Sequence, residues 1–238
     1  MSNLILPSSD DVFEPRAGYN IIAKYFESWH WYQFWQQNEA PIVIDWLKNL
    51  NLGLGLDAGS GTGPYIKDIL ALKQKCISLD ISSEMLDINK KNHKGLYTKS
   101  QLRFIEGDVC NLPFEKNTFD WILCSRVLTH VQDIRIPLSE FARVLKPFGH
   151  CLISDIHAKH PYTAMGVKTN NGKINIATYK HSTKQIRTAL SEINCLDLVD
   201  IAEYKMSNLL KKPSKIEFKK LYTFNDESIF FICKLIKT

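Results

Sequence analysis

Three glycines at every second position, Gly59, Gly61 and Gly63, follow Asp57 at the end of an apolar run, Leu52-Gly-Leu-Gly-Leu-Asp57-Ala-Gly59-Ser-Gly61-Thr-Gly63. Such spacing lets the backbone turn sharply and come close to a ligand. Tyr65, Ile66, Ile69 and Leu70 repeat at helical spacing just behind it, which predicts a helix N-terminus at the turn. The chemistry is ligand binding by backbone N–H groups beside a carboxylate. Two familiar loops are excluded. A dinucleotide fingerprint needs a glycine where Pro64 or Ile66 stands, and a P-loop needs lysine and a hydroxyl residue where Pro64 and Tyr65 stand. A second acid, Asp80, ends the apolar run Cys76-Ile-Ser-Leu-Asp80-Ile, 17 residues beyond Gly63. In an α/β fold that position lies beside the glycine turn, where a carboxylate can accept hydrogen bonds from both hydroxyls of a ribose.

Proton-transfer chemistry has four candidate bases, His157, His181, His130 and His160. His157 follows Asp155 at the predicted C-terminal end of a strand, and strand ends hold side chains more rigidly than loops. It is therefore the preferred candidate, with His181 second. Asp155, His157 and His160 lack a specific metal-ligand spacing, and no metal is expected.

The elements that must position these residues alternate. Strands are expected at 52–57, 76–81, 102–109, 119–125 and 151–155, with helices at about 64–74, from Ser82 or Ser83 through Met85 and Leu86, and at 134–146. This rhythm argues for a parallel sheet covered on both faces. Residues 157–181 break it, with Asn170-Asn171-Gly172 as a turn, and a long insertion after a strand's C-terminal end is a candidate lid. A helix over 182–192 and strands over 196–202 and 229–236 close the chain. At the other end, residues 1–16 read as a loosely held arm and Glu39–Leu50 as a helix. Between them, Ala17–Asn38 is rich in aromatics on more than one helical stripe, so Tyr19, Tyr25 and Trp29 are candidate substrate-binding residues. The expected organisation is an N-terminal arm and lid helices over 1–50, then a ligand-binding domain over 51–238 carrying the lid insertion 157–181.

The chain has 238 residues, 45% hydrophobic and 23% charged, ordinary values for a globular domain. Its six cysteines form no Cys-x-x-Cys pair and several fall in strand-like runs, which suits core residues of a reducing compartment. With no leader-like segment or long apolar run, a cytoplasmic location is expected. The net charge of +5 rests on lysine, with only six arginines, and the lysines at 205–220 read as a solvated face.

Taken together and in order, Leu56-Asp57-Ala58-Gly59-Ser60-Gly61-Thr62-Gly63, Leu79-Asp80-Ile81-Ser82, Gly107-Asp108, Leu112-Pro113-Phe114 with Phe119-Asp120, and Arg143-Val144-Leu145-Lys146-Pro147 resemble the class I S-adenosylmethionine-dependent methyltransferases. Within that class they are most similar to the small-molecule subgroup related to ubiquinone biosynthesis. The resemblance implies an α/β fold: a doubly wound, seven-stranded, mostly parallel sheet whose last strand is antiparallel. It implies S-adenosylmethionine as cofactor, its methionine part held by Asp57 and the backbone of Gly59, Gly61 and Gly63, and its ribose by Asp80. Ile81 and Met85 would pack on the adenine, Asp108 and the Val109 amide would read its edge, and Ser125 and Arg126 would border the methionine end and the acceptor. Phe148 and His150 depart from the small residues usual around Gly149. The implied function is methyl transfer to a small-molecule acceptor by in-line displacement. A homodimer is a candidate assembly.

Two other classes compete. An RNA-modifying methyltransferase would fit the cofactor motifs, but Ser125-Arg126-Val127 replaces the motif of amino-group base methylases, Cys124 lacks the preceding proline of cytosine-carbon methylases, and no separate basic domain is visible. A noncatalytic S-adenosylmethionine-binding regulatory protein would keep the same cofactor residues.

Overall fold

The fold follows from a computed structural model, which describes residues 12–161, 165–215, 218–223 and 226–238. In chain order the principal elements are β1 (Val12–Phe13), α1 (Pro15–Ile22), α2 (His30–Asn38), α3 (Ala40–Lys48), β2 (Leu54–Ala58), α4 (Ile66–Ala71), β3 (Lys75–Asp80), α5 (Ser83–Asn92), β4 (Leu102–Glu106) and β5 (Phe119–Ser125). They continue with α6 (Arg135–Val144), β6 (Leu145–Ile156), β7 (Met165–Thr169), β8 (Gly172–Ile176), α7 (Thr183–Ser191), β9 (Leu196–Tyr204) and β10 (Phe230–Lys237). Seven strands form one sheet in the order β4-β3-β2-β5-β6-β10-β9, and β10 runs antiparallel to both neighbours. This is the doubly wound sheet expected.

The sheet is buried on both faces because its strands are apolar on both sides. Leu138 and Phe141 of α6 and Ile186 and Leu190 of α7 pack on one face. Trp31 and Phe34 of α2, Val43 and Leu47 of α3, and Ile66 and Ile69 of α4 cover the other. Trp121 on β5 lies over Gly55 of β2, where a Cβ would come within 2.0 Å of the indole. The indole N–H donates to Gln74 Oε1 at 3.1 Å, so the buried ring keeps a partner.

The blocks that carried the resemblance hold one another. The Arg143 guanidinium donates to the carbonyls of Leu112 (2.9 Å) and Phe114 (2.6 Å) and to the Glu140 carboxylate. Asp120 accepts from the Leu54 amide (2.8 Å) and pairs with Lys146 (2.8 Å), stitching β2 to the start of β6.

Several sequence expectations need correction. Leu52 is 70% exposed and β2 begins only at Leu54. The helix over 134–146 ends at Val144, and the chain passes at once into β6 through Pro147. Phe148 there takes a left-handed backbone (φ 63°) and points to solvent, away from the site. The aromatic stretch is not one helix. α1 passes into a 3-10 turn over Ala23–Tyr25, the Ser28 hydroxyl donates to the Tyr25 carbonyl (2.8 Å), and Trp29 is extended before α2 starts. The break leaves Tyr25, Phe26 and Trp29 half-buried while Trp31, Phe34 and Trp35 are buried.

The arm is also held in its described part, whereas residues 1–11 lie outside the described residues. β1 pairs in parallel with β8, which forms an antiparallel hairpin with β7. The insertion therefore joins the N-terminus in a separate three-stranded sheet rather than extending the main one. α1 lies on this small sheet, and Asn20 Oδ1 accepts from the Ser82 hydroxyl (2.6 Å) at the start of α5. Arg16 pairs with Glu106 at the end of β4. Together these elements roof the C-terminal ends of the sheet strands.

The roof depends on close packing at Gly18, where a Cβ would meet Ile176 Cγ1 at 2.6 Å. Gly18→Val should pry α1 from β8 and leave the main sheet intact. Hydrogen exchange should then speed up in residues 12–26 and 165–178 while β2 and β5 keep their protection; uniform loss of protection would show that the roof and sheet unfold together.

Candidate active site

The order of strands reverses between β2 and β5, and open α/β sheets bind ligands at that switch, outside the carboxyl ends of the strands. A cavity of about 660 Å³ lies there. Its floor is the glycine turn. Gly59, Gly61 and Gly63 all take positive φ (78°, 52° and 79°), which only glycine adopts without strain. A Cβ on Gly61 would meet nothing within 4 Å, so this residue presents bare backbone to the cavity. A Cβ on Gly63 would strike Asn89 Oδ1 at 2.2 Å, and Gly63 does not line the cavity. It serves packing instead: Asn89, with Ser60 and Ser78, forms a buried polar layer beneath the turn (Ser78 Oγ to Ser60 Oγ 2.6 Å, Asn89 Nδ2 to Ser78 Oγ 2.9 Å).

Two buried carboxylates, Asp57 and Asp80, line the cavity. Asp80 accepts the Gly61 amide on Oδ2 (2.8 Å) and the Ser82 amide on Oδ1 (2.9 Å), which fix its orientation. Burial raises its pKa to about 6, against the pull of those amides. Asp57 is 2% exposed, and among the described residues its Oδ2 has no hydrogen-bond partner. Burial, then repulsion from Asp80, raises its pKa to about 7. A buried carboxylate oxygen without a donor is costly, and a cationic ligand group would satisfy it.

Asp57, Gly59, Gly61, Asp80, Ile81, Met85, Asp108, Val109, Ser125 and Arg126 all line this cavity, so the structure brings together every expected cofactor residue except Gly63. Met85 is capped into α5 by the Ser82 hydroxyl, and Asp108 is steadied by the Cys110 amide (2.8 Å). Orphaned Asp57 fits the ammonium and oriented Asp80 the ribose of S-adenosylmethionine, while Gly61, with open space where a Cβ would stand, leaves room for the methionine part.

A second cavity, of about 580 Å³, adjoins the first; Tyr19, Phe26, Arg126 and His130 line both. Tyr25 and Trp29 line it too, so the three expected substrate-binding residues share one space. At the shared wall the Tyr19 hydroxyl lies 2.8 Å from His130 Nε2, and His130 Nδ1 lies 2.6 Å from the Ala177 carbonyl. A carbonyl only accepts, so Nδ1 carries the proton and Nε2 accepts from Tyr19. Burial lowers the His130 pKa to about 4 and raises that of Tyr19.

The other histidines lie elsewhere. His157 and His181 line neither cavity. A parallel bridge between them closes the base of the insertion, and His181 Nε2 stands 2.9 Å from the Val131 carbonyl. His157 sits 3.7 Å from Glu203, and burial lowers its pKa. The preference for His157 as base therefore meets a contrary geometry: the strand end is rigid, but its side chain turns away from the cleft. His160 lines the second cavity beside Trp31. Asp155 is occupied by the Thr129 (2.8 Å) and Ile156 (2.6 Å) amides, and burial raises its pKa to about 7. Among the described residues no three His, Cys, Asp or Glu side chains cluster as metal ligands.

Sequence reasoning missed Glu39. It is fully buried, accepts from the Tyr65 hydroxyl (2.7 Å) and the Ser154 hydroxyl, and forms an ion pair with Arg126. Arg126 is left-handed (φ 59°), lies over the Trp35 ring at 5.3 Å, and burial lowers its pKa to about 10. The one signal available was an acid standing alone between apolar helices, just before Ala40-Pro41.

The fold and site together define an α/β domain with two adjoining cavities at the switch point of its sheet. Residues 56–153 match a family described as Methyltransferase domain. The chain is 34% identical over 111 residues to a demethylmenaquinone methyltransferase of Oceanobacillus iheyensis, an alignment covering 44% of this chain and 46% of the relative. The chain thus spans less than half the length of the curated relatives it matches first. Two solved structures share the fold. One is the putative methyltransferase in complex with the Haloferax volcanii Trm112 activator (17% identity, TM-score 0.64, covering 95% of this chain and 99% of that one). The other is geranyl diphosphate C-methyltransferase from Streptomyces coelicolor (13% identity, TM-score 0.64, covering 84% and 79%). Over residues 56–153 the chain thus resembles a methyltransferase domain, and its fold is that of solved methyltransferases.

The Glu39–Arg126 pair supports this site, and removing one partner of a buried pair leaves an uncompensated charge. Glu39→Gln should lower unfolding free energy by roughly 3 kcal/mol. The double variant Glu39→Gln/Arg126→Met should recover part of that loss in chemical denaturation; additive losses would show that the two charges do not interact.

Proposed function

We propose that the protein transfers a methyl group from S-adenosylmethionine to a small-molecule acceptor held in the second cavity. One observation carries the reading: the cofactor-type cavity and the aromatic cavity meet at a shared wall of Tyr19, Phe26, Arg126 and His130. When bound, the cofactor supplies a methyl group on a sulfonium, already a good leaving-group centre. The protein's task is then positioning and exclusion of water.

Asp57 and the turn at Gly59 and Gly61 hold the methionine part, Asp80 the ribose, Ile81 and Met85 the adenine, and Asp108 with the Val109 amide its edge. Tyr19, Tyr25 and Trp29 bind the acceptor. The roof made by α1 and the β7–β8 hairpin excludes water. For an acceptor that must lose a proton, the acceptor's proton moves to the Tyr19 oxygen as the Tyr19 proton moves to His130 Nε2, in one concerted step that avoids the free tyrosinate that burial disfavours. His130 thus replaces His157 as the preferred base, because it stands at the shared wall. On this reading residues 12–50 and 157–181 act as one lid on the domain, and the protein works in the cytoplasm without a nucleic-acid partner. No helix among the described residues is long and apolar enough to cross a membrane.

Methyl transfer is tested by incubating the protein with methyl-labelled S-adenosylmethionine and metabolite extract or total RNA, followed by mass spectrometry. Label in a small molecule is expected, and label confined to RNA would overturn the acceptor class. Cofactor binding should also depend on pH in a defined direction. Asp57 and Asp80 hold raised pKa values of about 7 and 6, and a cationic ligand favours their ionised forms. Complex formation therefore releases protons, and affinity should rise between about pH 5.5 and 7.5. Calorimetry in buffers of different ionisation enthalpy reads this release; proton uptake would contradict the assignment. In single-turnover assays, Tyr19→Phe and His130→Gln should each slow transfer to a protonated acceptor by about 10² with cofactor affinity nearly intact. Unchanged rates would remove the pair from proton transfer.

A further inference from the structure

The second cavity has an aromatic wall and a one-sided charge. Tyr25, Phe26, Trp29, Trp31 and Trp35 supply ring surface, and Met165 on β7 faces them. Arg126, Lys168, Lys173 and Lys180 also line it, and among the described lining residues there is no aspartate or glutamate. Arg126 is compensated by Glu39 beneath it. The three lysines have no such counter-charge: among the described residues none makes an ion pair.

Their placement is costly without a ligand. Lys168 and Lys173 face each other directly across the β7–β8 hairpin, an arrangement in which like charges destabilise the strand pair. Gly166, another lining residue, makes room for Lys173: a Cβ there would sit 2.1 Å from Lys173 Cε and 2.8 Å from its Nζ. The lysine thus lies along the hairpin at the cavity rather than being pushed off it. Lys180 is half-buried with its amine on the His160 carbonyl (2.6 Å), and burial lowers its pKa. An aromatic cavity could hold a cation against its ring faces, but three lysines on its walls oppose one.

We infer that the acceptor is a flat aromatic molecule bearing an anionic group, its ring against Trp29 and Trp31 and its charge among Lys168, Lys173 and Lys180. The inference rests on the methyl-transfer reading above, because it takes the second cavity as the acceptor side. It adds the acceptor's charge and shape, and it assigns the insertion hairpin the role of reading that charge.

The test is tryptophan fluorescence on the full chain saturated with S-adenosylhomocysteine, whose binding is first measured by calorimetry. The probes are 2-naphthoate, its neutral isostere 2-naphthamide, and (2-naphthyl)trimethylammonium. Naphthoate should bind at least about tenfold more tightly than the amide, the effect of one well-placed charge contact. That ratio should shrink as salt is added. In Lys168→Met/Lys173→Met/Lys180→Met it should fall towards one, with amide affinity kept; the single exposed-residue variant Lys168→Met should lower it in part. Equal binding of acid and amide, tighter binding of the ammonium probe, full discrimination surviving in the triple variant, or no naphthalene binding by protein that does bind S-adenosylhomocysteine would each overturn the inference. Absence of S-adenosylhomocysteine binding would instead remove the methyl-transfer reading on which it stands.

Discussion

The buried Glu39 carboxylate holds the two halves of this molecule in register. It leaves the junction of α2 and α3 and enters the top of the sheet, where Tyr65 from the glycine turn, Arg126 from the end of β5 and Ser154 from β6 all converge on it. A charge with no exposed surface is tolerable only when donors surround it. The convergence therefore fixes those three segments relative to the N-terminal helices. Arg126 then has little freedom left: its backbone amide donates to the Ser154 carbonyl (2.7 Å), and its guanidinium rests on Trp35. The wall between the two cavities is rigid because this network is.

Above that wall, the roof is assembled from pieces distant in sequence. β1 and α1 come from the N-terminus, and β7 and β8 come from the insertion after β6. Neither piece has a core of its own, and Ile22, Val167, Ile174 and Ile176 form one only when the two meet over Met85. The roof is held to the sheet side by Asn20 on Ser82, Arg16 on Glu106, Tyr19 on His130 and the Ala177 carbonyl on His130, besides the packing on Met85.

The cofactor half of the site was legible from sequence because its chemistry is local. Gly59, Gly61 and Gly63 declare their positive φ by residue type, and Asp57 and Asp80 end strands whose parallel pairing places them side by side. Strand and helix alternation settled the architecture for the same reason: right-handed crossovers leave few ways to arrange such a chain. The aromatics of 17–38 also announced a second partner, since a helix apolar all round must bury more than one face.

Tertiary structure decided what the sequence could not. The break at Ser28–Trp29, which leaves Tyr25, Phe26 and Trp29 half-buried while Phe34 enters the core, has no strong local signal. Histidines look alike in a sequence, and only the folded chain turns His130 to the shared wall while His157 and His181 close the base of the insertion. Glu39 stands 87 residues from Arg126 and 115 from Ser154, so its role exists only after the sheet brings them together. Spacing along a chain fixes what neighbours within a turn or a strand can do; contacts across such separations depend on how whole layers pack, and no local pattern encodes them.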